Sequence, residues 1–198
     1  MNSAAKKIIS RIKYNKRGWV FTPKDFLDLG TRQNVDFVLH RLVKQGTIRR
    51  LSRGLYDYPA THALLGTLSA DSDAIANAVA RSRNDNIHMS GAMAANTLHL
   101  STQVPAKVVY VTRNIKKTIK VGNRLISLTP TKLPLADKDD RKTLVLQALN
   151  YLGKQGIDDN VISKCRSMLN NKDRHSLLKL STQVKGAWLA DAVRKISV

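Results

Sequence analysis

Three glycines, Gly30, Gly46 and Gly54, cut the stretch from Thr22 to Tyr58 into pieces that have few ways to fold. Thr22 is a suitable N-cap, and Pro23 suits a first helical position, where its missing N–H costs nothing and its φ is already helical. Phe26, Leu27 and Leu29 give that helix an apolar side, and Gly30 stops it. Thr31 then caps a second helix. Val35, Val38, Leu39 and Leu42 recur in it at helical spacing, so the outer side carries Arg32, Gln33, Asp36, Phe37, His40 and Lys44. After Gly46, the segments TIRRL, SRG and LYDY predict strand, tight turn and strand, with Arg49, Arg50 and Arg53 on the hairpin.

Two helices joined by a glycine turn are the sequence form of a helix-turn-helix, whose second helix enters the major groove N-terminus first. Arg32 and Gln33 supply the bidentate geometry that suits guanine and adenine edges, and Thr31 and Asn34 can hold the helix N-terminus to phosphates. His40 and Lys44 extend the same outer side, and the basic hairpin makes a wing. Upstream, Ala4, Ile8, Ile9 and Ile12 mark an amphipathic helix from Ser3 to about Tyr14, and Trp19–Phe21 reads as a short strand. The expected N-terminal domain, residues 1–60, is therefore a winged helix-turn-helix that binds double-stranded DNA.

Pro59 breaks the last strand of the wing, and Ala60–Ser69 reads as a connector. Asp71 or Ser72 caps a helix running to about Ser82, and a second helix is expected over Ser90–Leu100. AKVVYVTR, KKTIKVG and NRLISLTP are rich in β-branched residues and predict a small antiparallel sheet. Lys107, Arg113, Lys116, Lys117, Lys120 and Arg124 fall there with no acid among them, which marks them as candidate contacts for an anion or an acidic protein. From Asp139 to the end the pattern is helical, with Asp139, Asp158 and Asn171 or Asp173 at N-cap positions and Gly153 and Gly156 just past a helix end. The expected class is α+β: a winged helix-turn-helix followed by a mixed domain, 61–198, with a small antiparallel sheet and a C-terminal helical bundle.

Charge supports a polyanionic or acidic partner. The chain of 198 residues carries 34 Lys and Arg against 14 acids, all of them Asp, for a net charge of +20. Residues 1–58 alone hold 13 Lys and Arg against 4 Asp. A single cysteine, Cys165, excludes an internal disulfide and fits a reducing compartment. No apolar run is long enough for a membrane span, and the N-terminus lacks the form of a secretory signal, so a cytoplasmic protein without a membrane partner is expected.

The inventory for catalysis is thin. His40, His62, His88, His99 and His175 are scattered, with no metal-ligand spacing, and there is neither a glycine-rich phosphate loop nor a Gly-x-Ser-x-Gly elbow. Asp137, Asp139 and Asp140 form the nearest thing to a carboxylate cluster, but they precede a periodic helix, where carboxylates complement the helix dipole. The expectation is a protein with no catalytic residue, metal or cofactor.

The combination of GTIRRLSRGLYDYP, a helical segment, and VPAKVVYVT with RLISLTPTKLP resembles the AbiEi-type antitoxins of abortive-infection toxin–antitoxin systems, over most of the chain to about Pro134. The resemblance implies an autoregulating repressor. Its winged helix would bind inverted repeats in its own promoter, as a monomer or weak dimer assembling on the DNA, through Thr31, Arg32, Gln33 and Asn34 with Arg49, Arg50 and Arg53. It also implies a second domain that neutralises a cognate nucleotidyltransferase toxin, in phage defence. Two other readings share the same residues. One is a plain DNA-binding regulator whose second domain senses a ligand or dimerises, and the other is a nucleic-acid-processing enzyme using Mg²⁺ at Asp139.

Overall fold

The computed structural model describes residues 3–105, 107–135, 141–184 and 186–197, and its class is α+β. Its contacts fall into two compact units, Met1–Asp85 with Ile119–Leu125, and Asn86–Thr118 with Ile126–Val198. The division lies after Asp85 instead of after residue 60, because 61–85 and one hairpin tip pack with the N-terminal elements.

The first unit begins with α1 (Ser3–Tyr14), β1 (Val20–Phe21) and a 3-10 turn, Pro23–Phe26. It continues with α2 (Arg32–Lys44), β2 (Arg49–Ser52) and β3 (Leu55–Asp57), then β4 (Thr61–His62), β5 (Gly66–Thr67) and α3 (Ser72–Arg81). The strand order β1-β3-β2 places β3 in the middle, antiparallel to both neighbours. Between Arg50 and Ser52 the register slips by one residue, a bulge that leaves Leu51 without a partner on β3.

The apolar stripes explain why these pieces associate. Ile8 and Ile12 of α1 and Val35, Val38, Leu39 and Leu42 of α2 meet Phe21, Phe26 and Ile48 in one core. Trp19, Phe21 and Phe26 pack with ring centroids 4.7 to 5.9 Å apart. The helix expected after Thr22 is a 3-10 turn: Leu27 and Leu29 donate to the carbonyls of Lys24 and Phe26, three residues back. Asp25 is drawn into this turn, accepting from the Thr22 N–H at 2.7 Å and from Arg81 Nε of α3 at 2.6 Å. Arg11 of α1 clamps the far side, donating from both Nη nitrogens to Asp28 at 2.7 and 2.6 Å. That bond holds the Asp28 carboxyl below its usual range and raises the arginine.

In the second unit, β6 (His88–Met89) precedes α4 (Gly91–Thr97), and β7 (Val108–Thr112), β8 (Lys117–Val121) and β9 (Arg124–Pro130) follow. The tip of the β8–β9 hairpin, Ile119–Leu125, groups with the first unit. The strand order is β6-β7-β9-β8, and β7 runs parallel to β9, with Val108 opposite Ile126 and Thr112 opposite Pro130. The sheet is therefore mixed, where the sequence suggested an antiparallel one. Four helices complete the unit: α5 (Arg141–Leu152), α6 (Asp159–Met168), α7 (Asn171–Ser181) and α8 (Ala187–Ser197).

Of these, α5 is buried on most of its circumference, through Val145, Leu146, Ala148 and Leu149, and it packs on α4, α7 and α8. The approach of α4 is close: a Cβ at Gly91 would lie 2.5 Å from Tyr151 Cβ and 2.7 Å from the Gln147 carbonyl, so only glycine fits. Asp158 caps α6, as its position suggests, whereas α7 is capped by Asn170, one residue before the expected Asn171. Asp137, Asp139 and Asp140 lie outside the described residues. Among the described residues, no helix is long and apolar enough to cross a membrane.

Candidate nucleic-acid interface

Folding leaves the N-terminus of α2 bare. Thr31 takes an extended conformation, and its hydroxyl accepts from the Asn34 N–H at 3.4 Å. Thr31, Arg32, Gln33 and Asn34 are all exposed, and no acid lies in the first turn, so the positive end of the helix dipole is left for an outside anion. Gln33, Phe37, His40 and Lys44 follow at spacings of four, three and four, which aligns them on the side opposite the core stripe, and all four are exposed. Phe37 is 67% exposed, an unusual position for a large ring on a helix whose other face is fully buried.

Arg32 donates from Nε to Asp36 at 2.8 Å, an (i, i+4) pair exposed on both sides. Such a pair is worth only about 0.3 to 0.5 kcal/mol. It therefore holds the guanidinium over the helix surface without committing it.

The β2–β3 hairpin divides its three arginines. Arg53 sits exposed at the turn and Arg50 is exposed on β2. Arg49, expected to touch DNA, is committed inside the unit: its Nε and Nη2 donate to Asp57 at 3.1 and 2.6 Å, and Nη2 also donates to the Leu68 carbonyl at 3.0 Å. Asp57 is 1% exposed, and its place on the middle strand makes this pair a strut of the sheet. Among the expected contacts of this unit, Thr31, Arg32, Gln33, Asn34, His40, Lys44, Arg50 and Arg53 are thus outward-facing, and Arg49 is structural.

The six cations of the sheet segment do not form one group. Lys107, Arg113, Lys116 and Lys117 belong to the second unit and are exposed, while Lys120 and Arg124 belong to the hairpin tip of the first. Arg124 donates from Nη2 to the Ala70 carbonyl at 2.6 Å and lies near Ser72 Oγ at 3.5 Å. A cleft of about 480 Å³ within the first unit is lined by Arg49, Arg50, Leu51, Ser69, Ala70 and residues 121–124. No spacing in the sequence announces this meeting, because its members come from three separate segments, 49–51, 69–70 and 121–124. Leu64 and Leu65, between β4 and β5, are also exposed, which the reading of that stretch as a plain connector did not anticipate.

Among the described residues, no three His, Cys or Asp side chains come together as metal ligands. Cys165 is buried, and burial pushes its thiol up to about 11.

A structure of the Rv2827c protein from Mycobacterium tuberculosis is similar to this chain at 12% identity with a TM-score of 0.46, covering 98% of this chain and 78% of that one. A search of curated proteins finds no match. The profile of a family of unknown function, DUF6088, matches residues 7–177, and the chain belongs to that family.

Proposed function

We propose that the protein binds double-stranded DNA through its N-terminal unit and represses its own operon, and that its second unit neutralises a nucleotidyltransferase-type toxin. The observation that carries the DNA reading is the bare, uncompensated N-terminus of α2, with Thr31 to Asn34 exposed and Arg50 and Arg53 on the hairpin that follows. The order α1, β1, 3-10 turn, α2, β2, β3 follows the helix, strand, helix, helix, strand, strand order expected of a winged helix-turn-helix, with a 3-10 turn in place of the first helix of the pair, and it supports a reading in which α2 enters the major groove and the hairpin meets the backbone or adjacent minor groove. The toxin half rests on the resemblance to AbiEi-type antitoxins. In this reading the protein catalyses nothing and acts by occupying DNA and a protein partner.

The experiment is binding of the full chain to the DNA immediately upstream of its own gene and to a scrambled duplex, across a salt series. The wild type is expected to prefer the upstream DNA, with a preference that survives at higher salt. Arg32→Ala should lose about 1 to 3 kcal/mol on the upstream DNA alone, whereas Arg53→Ala should weaken both duplexes alike. Equal wild-type affinity for the two duplexes, collapsing together with salt, overturns the operator reading. For the toxin half, co-expression with the product of the adjacent gene should restore growth that this product alone arrests. Persistent arrest with the antitoxin present refutes it.

A further inference from the structure

We propose that the cleft between β2 and the β8–β9 turn grips a backbone phosphate of the bound DNA, a second and sequence-independent contact with Arg124 and Arg50 as its ligands. The inference rests on the DNA-binding reading and adds a site from a part of the chain 70 residues away from α2 and β2.

The charge in the cleft favours an anion. Three arginines line it, and none of its lining residues is acidic. The Arg49 charge is answered by Asp57, while Arg50 and Arg124 have no carboxylate partner among the described residues. A pocket with two unbalanced guanidiniums and no acid is a site for a phosphate or a carboxylate, and a phosphodiester is the group that lies beside a DNA-binding hairpin. Arg50 lies on β2 and Arg53 in the turn that follows it, both exposed on the same hairpin.

The geometry is built in advance. Arg49 and Arg124 are tethered to the carbonyls of Leu68 and Ala70, at 3.0 and 2.6 Å, two anchors on one segment with Ser69 between them. A tethered guanidinium loses little side-chain freedom when an anion arrives, and that makes its remaining N–H groups effective donors. Arg49 and Arg50 keep regular register opposite Asp57 and Tyr56, the bulge follows at Leu51, and all three residues border the cleft. On the opposite wall the chain turns at Gly122 with φ of +58°, and a Cβ there would meet nothing within 4 Å, so the wall is low and open to a passing polymer.

The test measures affinity of the full chain for its upstream DNA and the scrambled duplex, in wild type, Arg124→Gln and Asn123→Asp. Arg124→Gln removes the charge and leaves a shorter polar side chain. Asn123→Asp is isosteric, at an exposed turn position, and sets a carboxylate in the cleft. Both variants should weaken both duplexes equally and leave sequence preference intact. For Arg124→Gln the slope of log K against log salt should fall by about 0.9, so its deficit shrinks about threefold between roughly 50 and 200 mM salt. Asn123→Lys should act in the opposite direction. Replacing phosphates one at a time with neutral methylphosphonate locates the contact: one position should cost wild type clearly more than it costs Arg124→Gln, in which only Arg50 is left to lose that phosphate. If the wild type binds DNA but the variants keep its affinity and slope, or their losses add to every methylphosphonate, the phosphate grip is overturned while the DNA reading stands. A wild type that binds no DNA overturns both.

Discussion

Arg49→Gln removes the cation from Asp57 and leaves a carboxylate that is 1% exposed in the middle strand of the first unit. Two unit charges about 4 Å apart attract by about 4 kcal/mol at an effective dielectric constant near 20. Breaking a buried pair generally costs about 3 to 5 kcal/mol, because the remaining charge is stranded. The Arg49 side chain is 36% exposed, so water reaching it screens part of this, and about 2 to 3 kcal/mol remains. On a unit of this size that corresponds to a fall in Tm of roughly 10 to 20 °C. Arg50→Gln, on the same strand but exposed, should stay within about 0.5 kcal/mol of wild type. Urea unfolding of the full chain carrying Trp188→Phe is the assay, since the remaining Trp19 packs on Phe21 and Phe26 and reports the first unit. Asp57→Asn in the Arg49→Gln background should recover part of the loss, with a coupling energy of about 2 kcal/mol across the cycle. A coupling below about 0.5 kcal/mol, or a large loss of DNA affinity with unchanged stability, refutes the strut and returns Arg49 to the DNA.

Three further outcomes follow from the packing. Gly91→Ala should destabilise the second unit by about 1 to 3 kcal/mol, because the added methyl meets Tyr151 Cβ and the Gln147 carbonyl below 3 Å; an unchanged midpoint by Trp188 fluorescence would show that α4 can shift away. Cys165 should resist iodoacetamide at pH 8 until the unit opens. Its pKa is raised from 9.0 to about 11, so the stability it contributes is whole below pH 9 and declines as pH rises toward 11, a loss that Cys165→Ala should lack; fast alkylation of the folded protein would contradict this. Asp28 should titrate below the usual carboxylate range by NMR and return to it in Arg11→Gln. Because the folded value is depressed, the favourable pairing is present at neutral pH and is lost only as pH falls through that value, and an unmoved Asp28 titration in the variant would show that Arg11 is not its cause.

Legibility in this sequence follows the range of the interactions. The stripe Val35, Val38, Leu39 and Leu42 and the exposed Thr31 to Asn34 were readable because helical periodicity and capping are local. The 3-10 turn after Thr22 was not, since it is held by Arg81 of α3 on Asp25 and by Arg11 on Asp28, partners that the local pattern does not reveal. Arg49 is an intermediate case. Leu55 and Asp57 are the buried positions of β3 and Tyr56 the half-buried one, so counting the hairpin register would have put Asp57 inward and opposite Arg49.

The sheet shows why a count of cations could not name a partner. Three β segments in succession suggest neighbours in order, yet β9 lies between β7 and β8, which makes β7 and β9 parallel and leaves β8 on the edge. Composition is consistent with this order. Ile126 and Leu128 of β9 are buried, as an inner strand requires, whereas β8 carries exposed Lys117 and Lys120 around a single buried Ile119. Lysines on an edge strand discourage pairing with another chain, and that role needs no anion. The cations expected to act together therefore separate by their surroundings. Lys117 and Lys120 guard an edge, and Arg49 braces a buried carboxylate. Arg124 and Arg50 border a cleft with no acid in its lining, so a buried or neighbouring carboxylate does not account for their charge as Asp57 accounts for that of Arg49.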